Sequence, residues 1–254
     1  MVKFLTTGLV GLMVLISSAI IVKEAAAMAT EKDWEKEPTA ILSCFGYGYK
    51  VKANLNGAET GLKGGQSEEK RLFYKTSKLA EEAADFIKPY FILNEGENRV
   101  QAEFTKTEES GDLTLYVWLE SEPIPSFFLY SKAKKESKLD NKFILKSPLP
   151  KDFKPVIITD AGENKAVLVF VSNPAVVNAT LNGKAGPSIG GTIGPIVLEN
   201  VKPGKNNLTV TYQADPAETK EIKIAVATPE WLKIISKKVT SKTAKTDKFT
   251  FNAK

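Results

Sequence analysis

The pentapeptide Ala53-Asn54-Leu55-Asn56-Gly57 returns as Ala179-Thr180-Leu181-Asn182-Gly183, and its flanks return with it. Extended without gaps, residues 40–57 lie over 166–183, with Ala40 on Ala166, Leu42 on Leu168 and Val51 on Val177. A second block, anchored on its glycines, sets 93–104 over 200–212: Gly96 meets Gly204, Asn98 meets Asn206, and Phe104 meets Tyr212. A third sets LTLYVWL (113–119) against IKIAV (222–226). Blocks repeated in the same order constrain the chain to two units of one topology. After each glycine-asparagine turn, apolar and polar residues alternate, the period of a half-buried strand. Asn-Gly supplies the backbone freedom that a strand-to-turn corner needs.

Short strands with frequent turn signals predict an all-β fold of two tandem Ig-like β-sandwich domains. The stretch between the repeated glycines is longer in the first copy, Gly57 to Gly96, than in the second, Gly183 to Gly204. The excess contains SKLAEEAADFIKPY (77–90), with Leu79, Ala83 and Phe86-Ile87 at helical spacing, Ser77 as N-cap and Pro89 as stop. It predicts a short helical insertion in the first sandwich. The expected organisation is a charged spacer at 30–38, a first sandwich at 39–130, a proline- and charge-rich linker at 131–154, a second sandwich at 155–229 and a basic C-terminal tail at 230–254.

The N-terminal 29 residues predict an apolar helix serving as signal peptide or membrane anchor. Phe4 to Val22 carry no charge. As a helix they span roughly 28 Å, close to the thickness of a bilayer core. Lys3 precedes this run, and Ala25-Ala26-Ala27 or Ala27-Met28-Ala29 fits a small-residue cleavage site. The expected location is therefore the periplasm or cell surface, with residues 4–22 holding the membrane if the leader is uncleaved. Cys44 follows a lipobox-like Ile41-Leu42-Ser43, but charged residues separate it from the apolar run. It reads as a buried strand residue instead.

Asn182-Gly183-Lys184, Thr192, Pro195 and Val201-Lys202-Pro203-Gly204, followed by Leu208-Thr209-Val210, resemble the PEGA type of bacterial Ig-like surface repeat. The resemblance covers about 50 residues, mainly turns. Ile193-Gly194 separate Thr192 from Pro195, where that pattern wants the two adjacent. It implies a small β-sandwich in an envelope or exported protein and transfers no catalytic residue.

Chemistry is thinly represented. The chain has no histidine and a single cysteine, which removes imidazole triads, the usual zinc sets and any intrachain disulfide. No catalytic residue, cofactor or metal ligand is expected. Ser67-Glu68-Glu69-Lys70 and Ser131-Lys132-Ala133-Lys134 match S-x-x-K, a frequency expected by chance in a lysine-rich chain. The glycine-rich GKAGPSIGGTIGP (183–195) lacks a phosphate-binding pattern and reads as a loop at the end of a sandwich, or as a binding loop. Phe45, Tyr47 and Tyr49 alternate with glycines; on one strand their rings would share a face, as buried core or as an aromatic contact strip. The tail at 230–254 carries seven lysines against two acids, so Lys237, Lys238 and Lys242 are candidate contacts for an anionic partner.

These features predict an exported, non-enzymatic envelope protein that contacts another envelope protein or an anionic polymer or lipid. Only Arg71 and Arg99 are arginines, so nucleic acid is not an expected partner. The alternative is an exported enzyme or enzyme inhibitor with its site in the loops of the first domain. A concave pocket with converging polar groups would favour it.

Overall fold

The computed structural model describes residues 40–74, 92–119, 121–132, 136–150, 152–160, 165–214, 220–239 and 244–253. The leader, the spacer and the expected helical insertion at 77–90 lie outside these residues, as does Lys242. The described chain is all-β, with no helix, and is β-sandwich-like.

In the first half, β1 (Ala40–Phe45), β4 (Ser67–Tyr74), β5 (Ile92–Leu93), β7 (Leu113–Leu119), β8 (Phe127–Ser131) and β10 (Val156–Asp160) form one sheet, ordered β10-β8-β7-β1-β4-β5. A second sheet, ordered β3-β2-β6-β9, contains β2 (Tyr49–Leu55), β3 (Ala58–Glu59), β6 (Gly96–Lys106) and β9 (Ser137–Leu145). Alternate residues from the two sheets meet in one apolar core: Leu42, Leu72, Leu115 and Leu129 from the first, Val51, Leu55, Phe104 and Phe143 from the second. That is the result expected of period-two patterning on facing sheets.

The second half uses fewer, longer strands: β11 (Lys165–Leu181), β12 (Lys184–Val201), β13 (Gly204–Ala214), β14 (Lys220–Thr228), β15 (Trp231–Val239) and β16 (Lys245–Ala253). The sheet runs β15-β14-β11-β13-β16, with β12 also paired to β11. The first part of β11 pairs with β14 (Leu168↔Ala227) and its last part with β13 (Leu181↔Leu208). Register shifts in its ladder with β12 fall between, at Val171/Ala175 and Ala175/Val177. There the long strand passes from one layer to the other, as bulged strands do at sandwich corners. Val169, Val177, Leu208, Val210, Ile224 and Phe249 fill the core this encloses.

The two Asn-Gly corners are built alike, bond for bond. Asn56 and Asn182 have φ of 52° and 51°, followed by Gly57 and Gly183 at 85° and 83°. Asn98 is 1% exposed, and its amide makes four hydrogen bonds. Its Nδ2 donates to the carbonyls of Asn94 (3.0 Å) and Gly96 (3.2 Å), and its Oδ1 accepts from Asn94 N and Asn56 Nδ2, both at 2.9 Å. Asn206 is fully buried and repeats all four, with Lys202 O (2.7 Å), Gly204 O (2.9 Å), Lys202 N (2.9 Å) and Asn182 Nδ2 (2.8 Å). Asn56 Oδ1 accepts from Arg99 N, and Asn182 Oδ1 from Asn207 N, each at 2.9 Å. Beyond the corners, β6–β9 and β13–β16 form equivalent nine-rung ladders, Gly96↔Leu145 to Phe104↔Ser137 and Gly204↔Ala253 to Tyr212↔Lys245.

Four expectations change. Gapless matching fails upstream of the corner. Val51 and Val177 both face their own cores, whereas Leu42 faces its own core and Leu168 faces the other side of its sheet. The first half turns at Gly46–Gly48, with Tyr49 N donating to Gly46 O (3.1 Å), while the second passes through a bulge. One residue of slip there inverts the faces. The expected linker contains β9, whose Lys138, Asp140 and Lys142 are the solvent side of a strand that buries Phe143 and Leu145. β10, expected to open the second sandwich, lies parallel to β8 in the first, from Val156↔Phe127 to Asp160↔Ser131. The tail contains β15 and β16, because Trp231, Ile235, Phe249 and Phe251 pack on the second core.

Candidate functional site: the junction of the two units

Each unit turns an apolar sheet face toward the other. Ile41, Tyr116, Trp118, Phe128 and Tyr130 pack against Leu168, Phe170, Ala225 and Ala227 in a third buried core. Phe170 stands edge-on to Phe128 (centroids 5.1 Å) and Trp118 (5.8 Å). Trp118 Nε1 is satisfied by Glu122 O at 2.9 Å. This explains the continuous apolar runs LTLYVWL and AVLVFV: strands covered on both faces have no polar alternation to show. The apolar runs are the sequence signal of this interface.

Beside this core lies a groove of about 460 Å³. From the first unit, Tyr130 and Lys132 reach it from the end of β8, and Asp112 and Thr114 from the start of β7. From the second come Lys184, Gly186, Pro187 and Glu199 of β12. The glycine-rich segment expected as a loop is therefore strand, and it forms one wall of the groove. A Cβ on Gly186 would come within 1.9 Å of Leu198 Cδ2, so glycine permits the close packing of this wall.

Glu199 is the centre of the groove's electrostatics. Tyr130 donates its hydroxyl to Glu199 Oε1 at 2.5 Å, and Lys132 Nζ lies 2.5 Å from the same oxygen. Burial alone would raise the Glu199 carboxyl. Hydrogen bonds from Lys132 and Tyr130, with the charges of Lys132 and Lys184, outweigh it and hold the group below its ordinary value. Burial, and then the hydrogen bond to Glu199 and its charge, raise the Tyr130 hydroxyl. These groups bond one another across the junction. On the far side, Lys223 Nζ donates to Ser121 O at 3.3 Å.

The structure does not assemble the residues singled out in the sequence into one site. Phe45, Tyr47 and Tyr49 share no face, because the Gly46–Gly48 turn divides them. Phe45 is 43% exposed and stacks on Tyr116; Tyr47, at the turn, is 61% exposed; Tyr49 is buried, its hydroxyl donating to Ser131 O at 3.3 Å. Lys237 and Lys238 are neighbours on β15 and point to opposite sides, Lys237 lying 3.8 Å from Asp247 Oδ1. Cys44 is buried in the first core, where burial and then the Glu68 charge push its thiol up to about 12. Among the described residues, no three His, Cys, Asp or Glu side chains converge as a metal site.

The chain matches no protein-family model, and no curated protein or solved structure is significantly similar to it.

Proposed function

We propose that this chain is an exported, non-enzymatic envelope protein whose two halves are copies of one Ig-like β-sandwich unit, presented as a single rigid body. The shared corner hydrogen bonds and the matching ladders support the duplication; the turn residues at 182–204 support kinship with PEGA-type repeats. The uncharged run from Phe4 to Val22 and the alanine-rich stretch after it support export, to the periplasm or cell surface.

The observation that carries the reading is the aromatic core around Phe170. Two sandwich units that each have a core have been locked through a third, which fixes their outer faces relative to one another. A fixed pair of faces suits holding a protein or polymer partner better than gripping a small substrate. The enzyme or inhibitor alternative needs polar groups free for a substrate, and Tyr130, Lys132 and Glu199 of the junction groove are engaged with one another.

The test is cross-linking in intact cells from photoreactive residues placed at Tyr47, exposed on the first unit, and Thr209, half-buried on the outward side of β13 in the second. Adducts with an envelope protein or polymer are expected. Recovery of the protein in the cytosol with no envelope adduct would refute the reading.

A further inference from the structure

We propose that the outward face of the layer formed by the last part of β11, β13 and β16 binds an anionic polysaccharide. The inference rests on the envelope-binding reading and adds a surface and a ligand class to it.

The same layer of the first unit carries a different set of outward side chains. On β6 and β9 the outward residues form opposite-charge pairs: Arg99 with Asp140, Lys138 with Glu103 at 2.7 Å, and Lys142 with Glu97 at 2.8 Å. Within this ladder the charges pair off, and Lys50 and Lys52 of the neighbouring β2 stand exposed beside it. The matching ladder of β13 and β16 puts Asn207 and Lys248 in place of the first pair, Thr211 and Thr246 in place of the second, and Lys205 and Thr250 in place of the third. Every acid has gone. Lys205 and Lys248 are exposed and have no ion pair among the described residues.

The replacements are hydroxyls and amides, set in rows. Asn178 lies across from Thr211, which meets Thr246 at 3.0 Å; Thr180 lies across from Thr209; Asn207 accepts from Thr250 at 3.3 Å. Such side chains both donate and accept. They recur about every 4.8 Å across the strands and about 6.8 Å along them. A polymer dense in hydroxyls meets that array with complementary groups, and its carboxylates or phosphates meet the lysines.

Charge beyond the face acts in the same direction. Residues 165–253 carry twelve lysines and six acids, whereas 40–160 carry eighteen bases and eighteen acids. Of the acids in the second unit, Glu199 is engaged by Lys132 and Tyr130, and Asp247 by Tyr212 at 2.5 Å and Lys237. The positive field around the polar face is thus left for a ligand. A protein partner fits less well, because protein interfaces are anchored by aromatic and large apolar side chains. Among the described residues, the one exposed large hydrophobic side chain on this layer is Val176.

The test is affinity electrophoresis of the full chain through gels containing alginate, neutral dextran or polyglutamate, with flotation on anionic phosphatidylglycerol vesicles as a fourth arm. Alginate is expected to retard the protein in a salt-sensitive manner, and dextran to do so weakly. The K205A/K248A double variant should bind alginate at least fivefold more weakly. K138A/K142A, which removes the same charge from the ion-paired first face, should leave binding unchanged. Thr209→Val should weaken alginate binding while leaving the charge as it was. The proposal is overturned if alginate does not retard the protein, if both lysine pairs weaken binding equally, or if polyglutamate or vesicles bind as tightly as alginate. Loss of alginate binding with an envelope location intact removes this surface alone, whereas a cytosolic location removes the wider reading whatever the gels show.

Discussion

Asn98 and Asn206 are the residues on which the two corners turn. Each buried amide uses its full hydrogen-bonding capacity on groups that would otherwise be unpaired. Asn206→Ala leaves the Lys202 amide and carbonyl without their partners and should lower unfolding stability by about 3 kcal/mol. Urea unfolding followed by tryptophan fluorescence reads this, and an unchanged midpoint would show the corner to be dispensable. Cys44 gives a second check at this scale. A thiol pushed up to about 12 stays protonated at pH 8, and it is buried. Its reaction with a disulfide reagent should be slow in the native protein and fast in urea. Rapid labelling of the folded chain would place Cys44 outside the core. The corners were legible because Asn-Gly is a local signal that depends on backbone conformation. The engagement of Tyr130 with Glu199 was not legible, since residues 69 positions apart share no local pattern.

At the scale of elements, alternation identified β6 and β13 correctly, and it misled wherever a strand is covered on both sides or lies at an edge. β9 and β16 looked like linker and tail because lysine and threonine occupy their outward positions. An edge strand with lysines is nonetheless a common way to discourage edge-to-edge pairing. The slip between Leu42 and Leu168 has a similar cause: a turn in one half and a bulge in the other have nearly the same length in sequence and opposite consequences for facing. The interface strands supply the sharpest prediction. Phe170→Ala removes the ring that Trp118 and Phe128 both contact, a loss of about 3–5 kcal/mol. Because each unit keeps its own core, calorimetry should show one transition in the parent chain and two in the variant. A single transition at the parent temperature would mean that the third core does not couple the units.

For the molecule as a whole, the aromatic junction converts two small sandwich-like units into one body with differently decorated faces. The first is covered by ion pairs, and the second carries hydroxyls, amides and the exposed Lys205 and Lys248. The difference lies outside the matching letters, which describe turns and inward residues; the outward residues of the two halves have no reason to agree. This body is proposed to work outside the cytoplasm. Fractionation of cells producing the full-length chain, with N-terminal sequencing of the recovered protein, decides the matter. Recovery is expected in the periplasmic, membrane or surface fraction, with the N-terminus either intact or beginning after Ala27 or Ala29. A soluble cytosolic protein retaining Met1 would contradict it.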